Sequence, residues 1–199
     1  RSYFTRTSGS CCSWQLFSLM AFGGPLLLAA AATLVLISGA KERGCPGSKA
    51  RLHHAKTKVS AVASQNCTIV AAEIGARVEG ISTGQWSDPH NGGVYRLVST
   101  SDDSELELER ETADNRYTDR LILTLQEVAS TCRIEGCSES QVFSIADRST
   151  NYCNLRMLYC GAADGCVPVL QDLNVQELSV HPSFGAGKSQ QVCLANTAN

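Results

Sequence analysis

One stretch constrains this chain more than any other. Leu16 to Ser38, LFSLMAFGGPLLLAAAATLVLIS, carries no charge. At roughly 1.5 Å of rise per residue it would reach about 35 Å as a helix, enough to cross a hydrocarbon core of about 30 Å. Trp14 stands near one end, where an amphipathic indole would sit at headgroup level. A secretory signal peptide also has a basic start, an apolar run and a small-residue exit such as Ser38-Gly39-Ala40, but this run exceeds the usual apolar region of such a peptide. A soluble core helix of this length would show a polar face. The sequence therefore predicts a retained single-pass transmembrane helix over residues 14–40, preceded by an N-terminal stub at 1–13.

Within that predicted span, Gly23-Gly24-Pro25 should loosen or kink the helix, because proline removes a backbone donor and crowds the previous turn. Leu26, Ala29, Ala32 and Thr33 are the candidates for packing against another helix, since small residues let backbones approach closely in lipid. The span holds no His or acidic residue, so it offers no proton relay and no axial ligand. No recognisable motif binds a cofactor; peripheral pigment or lipid contacts are the expectation.

Of the ten cysteines, Cys11 and Cys12 precede the span. The other eight follow it: Cys45, Cys67, Cys132, Cys137, Cys153, Cys160, Cys166 and Cys193. An even set on one side points to disulfides in an oxidising compartment. No Cys-x2-Cys pair occurs, which argues against zinc knuckles and thioredoxin-like sites. The spacing does not choose the pairing. The charges around the span are at odds with the cysteines. Arg1 and Arg6 precede it, while Lys41, Arg43, Lys49, Arg51, Lys56 and Lys58 follow, which alone would favour a cytoplasm-like C-terminal side. Long domains translocate largely regardless of charge, so the cysteines decide for the oxidising side. A net charge of −2 gives no electrostatic case for nucleic acid.

Residues 41–58 are basic, with Gly, Pro and Ser, and read as a juxtamembrane linker able to touch anionic headgroups. His53-His54 lies in it, too few ligands for a metal. Residues 59–199 read as a cysteine-rich β domain. The β-branched residues between 59 and 82 suggest two short strands, and Asn66-Cys67-Thr68 fits a glycosylation sequon that a bridged cysteine within a strand would make a poor acceptor. Asp88-Pro89 and Asn91-Gly92 mark a loop before a strand at Val94. Glu105-Leu-Glu-Leu-Glu-Arg alternates strictly, and Thr118 to Leu125 does so less cleanly. Together they predict a hairpin with Leu106 and Leu108 inside and Glu105, Glu107 and Glu109 toward water. Gln141 to Ile145 suggests a strand, Asn154 to Tyr159 a helical turn or strand, and Leu173 to Val180 a further strand.

Catalytic signatures are missing. No Gly-x-Ser-x-Gly elbow accompanies His90 or His181, and there is no dinucleotide fingerprint, His-Glu-x-x-His or calcium loop. Gly187-Lys188-Ser189 resembles the end of a phosphate loop, but Pro182 stands where that loop needs glycine. The sequence thus favours a non-enzyme.

Asp88-Pro-His-Asn-Gly-Gly-Val-Tyr, Tyr117-Thr-Asp-Arg, Cys137-Ser-Glu-Ser-Gln-Val-Phe-Ser, Asn151-Tyr-Cys-Asn-Leu-Arg-Met-Leu-Tyr-Cys-Gly and Asp164-Gly-Cys resemble a cysteine-rich domain of plants and algae, over about residues 85–170. One predicted span followed by such a domain is similar in layout to single-span accessory subunits of algal, dinoflagellate-type photosystem I. That resemblance implies a thylakoid membrane location, with the domain in the lumen and with lipids and other subunits of a large complex as partners. The expected fold class is a single transmembrane α-helix followed by a β-rich, disulfide-linked small domain. The expected function is that of a structural accessory subunit. The alternative is a single-pass endomembrane or cell-surface binding module.

Overall fold

The computed structural model describes residues 44–101 and 104–195. They lie within one compact unit, Lys41–Asn199. Strand β1 (Lys56–Ala63) leads to helix α1 (Cys67–Thr83). Then come β2 (Val94–Ser101), β3 (Glu105–Glu111), β4 (Thr118–Val128) and β5 (Thr131–Ser140). Helix α2 (Thr150–Tyr159), strand β6 (Val175–Pro182) and the short helix α3 (Gln190–Leu194) complete the order. The strands form one six-stranded sheet, β2-β3-β4-β5-β1-β6. Every pairing is antiparallel.

This architecture corrects the fold class expected from the sequence, a transmembrane helix followed by a β-rich domain. Among the described residues no helix is long and apolar enough to cross a membrane. The longest, α1, has 17 residues and buries Glu73 and Arg77, charges a lipid-facing helix could not carry cheaply. The predicted span, with Leu26, Ala29, Ala32 and Thr33, lies outside the described residues, as do Cys11 and Cys12. The domain itself is sheet-rich and carries four disulfides.

Residues 67–83 are a helix and not the expected second strand. The Asn66 side chain caps it by accepting from the Ile69 N–H at 3.0 Å, and Gly84 ends it in the left-handed region at φ +73°. Val70, Glu73, Ile74, Arg77 and Gly80 are its buried positions, spaced for one helical face. Asn66 is therefore an exposed cap residue, although Cys67 is indeed bridged. Gln141–Ile145, expected as a strand, is a loop after β5.

Helix α2 is buried from Asn151 to Tyr159. Leu155 reaches the sheet where Gly136 leaves room: a Cβ there would lie 2.9 Å from the Leu123 side chain and 3.1 Å from that of Leu155. The core joins Val59, Leu108, Leu121, Leu123 and Ile134 of the sheet to Ile74 of α1 and Leu155 and Leu158 of α2.

The eight cysteines after the predicted span pair as Cys45–Cys137, Cys67–Cys132, Cys153–Cys193 and Cys160–Cys166. Cys132 and Cys137 are an odd number of residues apart on β5, so they face opposite sides of the sheet. Cys132 ties down the start of α1, and Cys137 holds the segment before β1. The stretch read as a linker therefore follows the sheet closely from Gly44. The Gly47 N–H donates to Glu139 at 2.8 Å, the Ser48 hydroxyl donates to the Ser140 carbonyl at 2.6 Å, and Lys56 already begins β1.

Candidate functional site

The β3–β4 hairpin has the expected alternation, and it continues past the leucines. Leu106, Leu108 and Arg110 point inward from β3; Asp119, Leu121, Leu123 and Leu125 do so from β4. Arg110 and Asp119 are cross-strand partners, so a cation and a carboxylate stand side by side at the buried end of the hairpin.

They do not form an ion pair. Arg110 turns instead to the Asp88–Gly93 loop. Its Nε and Nη2 donate to Asp88 Oδ2 at 2.9 and 2.6 Å, and Nη2 also donates to the His90 carbonyl. The guanidinium lies 5.5 Å from the centre of the Tyr95 ring, and Tyr95 in turn donates to the Asn154 carbonyl at 3.0 Å. Gly93 is required here, since a Cβ would fall 2.2 Å from Arg110 Cζ. Gly93→Ala should therefore cost about 1–3 kcal/mol by overpacking, read as a lowered urea midpoint; an unchanged midpoint would contradict the placement of Arg110.

Asp119 is 1% exposed. Its Oδ2 accepts from Asn154 Nδ2 at 2.8 Å, while Oδ1 has no hydrogen-bond partner. Burial pushes its carboxyl pKa up, only partly offset by the nearby Ser140 hydroxyl, by Asn154 and by the charge of Arg110. Asn154 and Asn151 stand three apart on α2 and so share a face. Asn154 Nδ2 also donates to the Ser138 hydroxyl at 3.1 Å, and that hydroxyl donates to Asn151 Oδ1 at 2.7 Å. Asn151 Nδ2 donates to Asp147 Oδ2 at 3.0 Å. Asp147 further accepts from the N–H groups of Ser149, Asn151 and Gly187 at 3.0–3.2 Å, which fixes the loop before α2.

Between this loop and the hairpin lies a cavity of about 640 Å3. Its polar lining includes His90, Asp119 and Asp147; Tyr117, Phe143 and Ile145 supply apolar surface. The volume falls in the range that holds small ligands.

No protein-family model matches the chain, and no curated protein matches it significantly.

The polar side chains of the cavity are fixed by contacts of their own. His90 Nδ1 lies 3.2 Å from the Val192 carbonyl and donates to it, so Nε2 accepts from Asn91 Nδ2 at 3.0 Å. Burial holds the His90 pKa down, and Arg110 adds to this, so the ring is neutral at neutral pH. Thr150 Oγ1 is 3.2 Å from Nε2, but its only proton goes to the Asp147 carbonyl at 2.5 Å. A nucleophile whose proton faces its base is thus lacking at this pair.

His53, His54 and the 187–189 turn make contacts that hold the fold. His54 Nε2 meets Glu139 Oε1 at 2.8 Å, and His53 Nε2 donates to the Phe184 carbonyl at 3.2 Å. Among the described residues no group of three His, Cys, Asp or Glu could hold a metal. Gly187 and Ser189 donate to Asp147 and to the Ser149 hydroxyl, which ties the 187–189 turn to the start of α2. Sequence reading passed over Asp119 and Arg110. The signal was present in the two-residue period that placed Leu106 and Leu108 inside, since the same period carries Arg110 inward on β3.

Proposed function

We propose that this chain is a non-catalytic binding module of an oxidising compartment, holding a small molecule in the cavity beside Asp119. One observation carries this reading: a cavity of ligand size is lined by polar side chains fixed by hydrogen bonds, His90, Asp119 and Asp147, with Tyr117, Phe143 and Ile145 supplying apolar surface. Four disulfides support the oxidising compartment. The engaged Thr150 proton supports binding over catalysis.

Amide NMR of the full chain tests this. A set of small aromatic and aliphatic fragments at about 1 mM each should shift the amides of His90, Asp119, Phe143 and Asp147. Ala146→Trp, at an exposed lining position, should abolish those shifts. Shifts scattered away from the cavity, or insensitive to Ala146→Trp, would contradict it.

A further inference from the structure

We propose that Asn66 is an N-glycosylation site and carries an oligosaccharide on its side-chain nitrogen. This goes beyond the binding reading and does not depend on the cavity.

The motif is Asn66-Cys67-Thr68, and nowhere else in the sequence does an asparagine stand two residues before a serine or threonine. A strand would have locked this tripeptide into the sheet, but it opens α1 instead. The Asn66 backbone is extended, at φ −69° and ψ 162°, and both Asn66 and Thr68 are exposed.

The amide leaves its acceptor atom available. Asn66 Oδ1 is the capping atom, accepting from the Ile69 N–H at 3.0 Å, and Nδ2 makes no hydrogen bond among the described residues. A carboxamide carries two N–H groups, and glycosylation uses one of them. Cap and glycan therefore occupy different atoms. In the transfer, Nδ2 attacks the anomeric carbon of an oligosaccharide held on a lipid diphosphate. A C–N bond forms as the C–O bond to the diphosphate breaks. The diphosphate leaves with the bonding pair, and one amide proton passes to a base of the transferase.

The bridge at the middle residue closes too late to prevent this. Cys132 lies 65 residues beyond Cys67. At about 5–20 residues per second its synthesis follows about 3–13 s later, so the sequon emerges before Cys67 can pair with Cys132. Four disulfides fit passage through the secretory route, which supplies such lipid-linked donors.

The folded domain has room for the chain of sugars. Glu127 accepts from the Cys67 N–H at 2.7 Å, so the β4–β5 turn lies beside the site, and residues 126–130 are exposed. Asp119, at the cavity, and Glu127 stand about 26 Å apart along β4 at the usual rise per residue. A glycan on Asn66 thus leaves the cavity open.

Peptide mass spectrometry of the full chain purified from its source cells tests this. The peptide holding Asn66 should carry a glycan. Peptide N-glycosidase should remove it, leave an aspartate at position 66 and speed the chain's migration on a gel. Expressed in the same cells, Asn66→Asp and Thr68→Ala should each abolish that shift, and Thr68→Ser should keep it. Aspartate caps a helix as well as asparagine does, so Asn66→Asp removes the acceptor and spares the fold. An unmodified Asn66 in the native chain would overturn the proposal, as would a shift that survives both substitutions.

Discussion

Arg77→Met should lower the unfolding free energy by about 3–5 kcal/mol, the cost of removing one partner from a buried ion pair. Arg77 Nε donates to Glu73 Oε1 at 2.8 Å one helical turn away, and both side chains are fully buried. Its Nη1 and Nη2 donate to the Met157 and Cys160 carbonyls, each at 2.8 Å, where α2 ends. Methionine would fill the space but leave those carbonyls without their donors. Glu73 meanwhile accepts from the N–H groups of Val169, Leu170 and Gln171 at 2.7–2.9 Å. Replacing both members by apolar residues should therefore not restore stability, because three backbone donors would be orphaned. Burial alone would raise the Glu73 pKa, but the Gln171 N–H, Arg77 and the other two N–H groups outweigh it and hold it low. The sign follows: this carboxylate's contribution is complete above the unfolded glutamate pKa and is lost as pH falls through the folded one. Urea unfolding of the oxidised chain, followed by circular dichroism, measures the change. A loss below about 1 kcal/mol would show that the clasp is not formed.

The second large effect concerns the cross-links. Removing a disulfide should cost stability in the order of the chain it encloses. Cys45–Cys137 and Cys67–Cys132 span 92 and 65 residues and should each be worth about 4–5 kcal/mol. Cys153–Cys193 spans 40 and should be worth slightly less, while Cys160–Cys166 spans 6 and should be worth about 2 kcal/mol. Paired alanine substitutions, made one disulfide at a time and unfolded in urea, give the series. Equal losses from the longest and shortest loops would contradict this entropic ranking.

Much of the sheet was legible, because strict two-residue alternation over β3 and β4 leaves a single inward face. The disulfide set was legible as a count and not as pairs, since pairing depends on which strand faces reach one another. Helix α1 was misread because Thr68, Ile69, Val70, Ile74 and Val78 are β-branched and Gly75 interrupts them. The decisive signals were Asn66 as a cap and the helical spacing of Val70, Ile74 and Arg77. The candidate site was missed for a different reason. Asp119 and Arg110 are charged residues at inward positions, and their surroundings appear only when α2 brings Asn154 to one carboxylate oxygen and the Asp88–Gly93 loop brings Asp88 to the guanidinium. The membrane, thylakoid and photosystem expectations draw no support from the described domain. They rested largely on the charge-free stretch, which lies outside the described residues.

We propose the cavity between the 143–148 loop and the β3–β4 hairpin as a small-molecule site. A crystal structure of the full chain soaked with small aromatic and aliphatic fragments tests this most directly. Fragment density should lie in the cavity against Phe143 and Ile145. Fragments bound only elsewhere, with ordered water alone in the cavity, would contradict it.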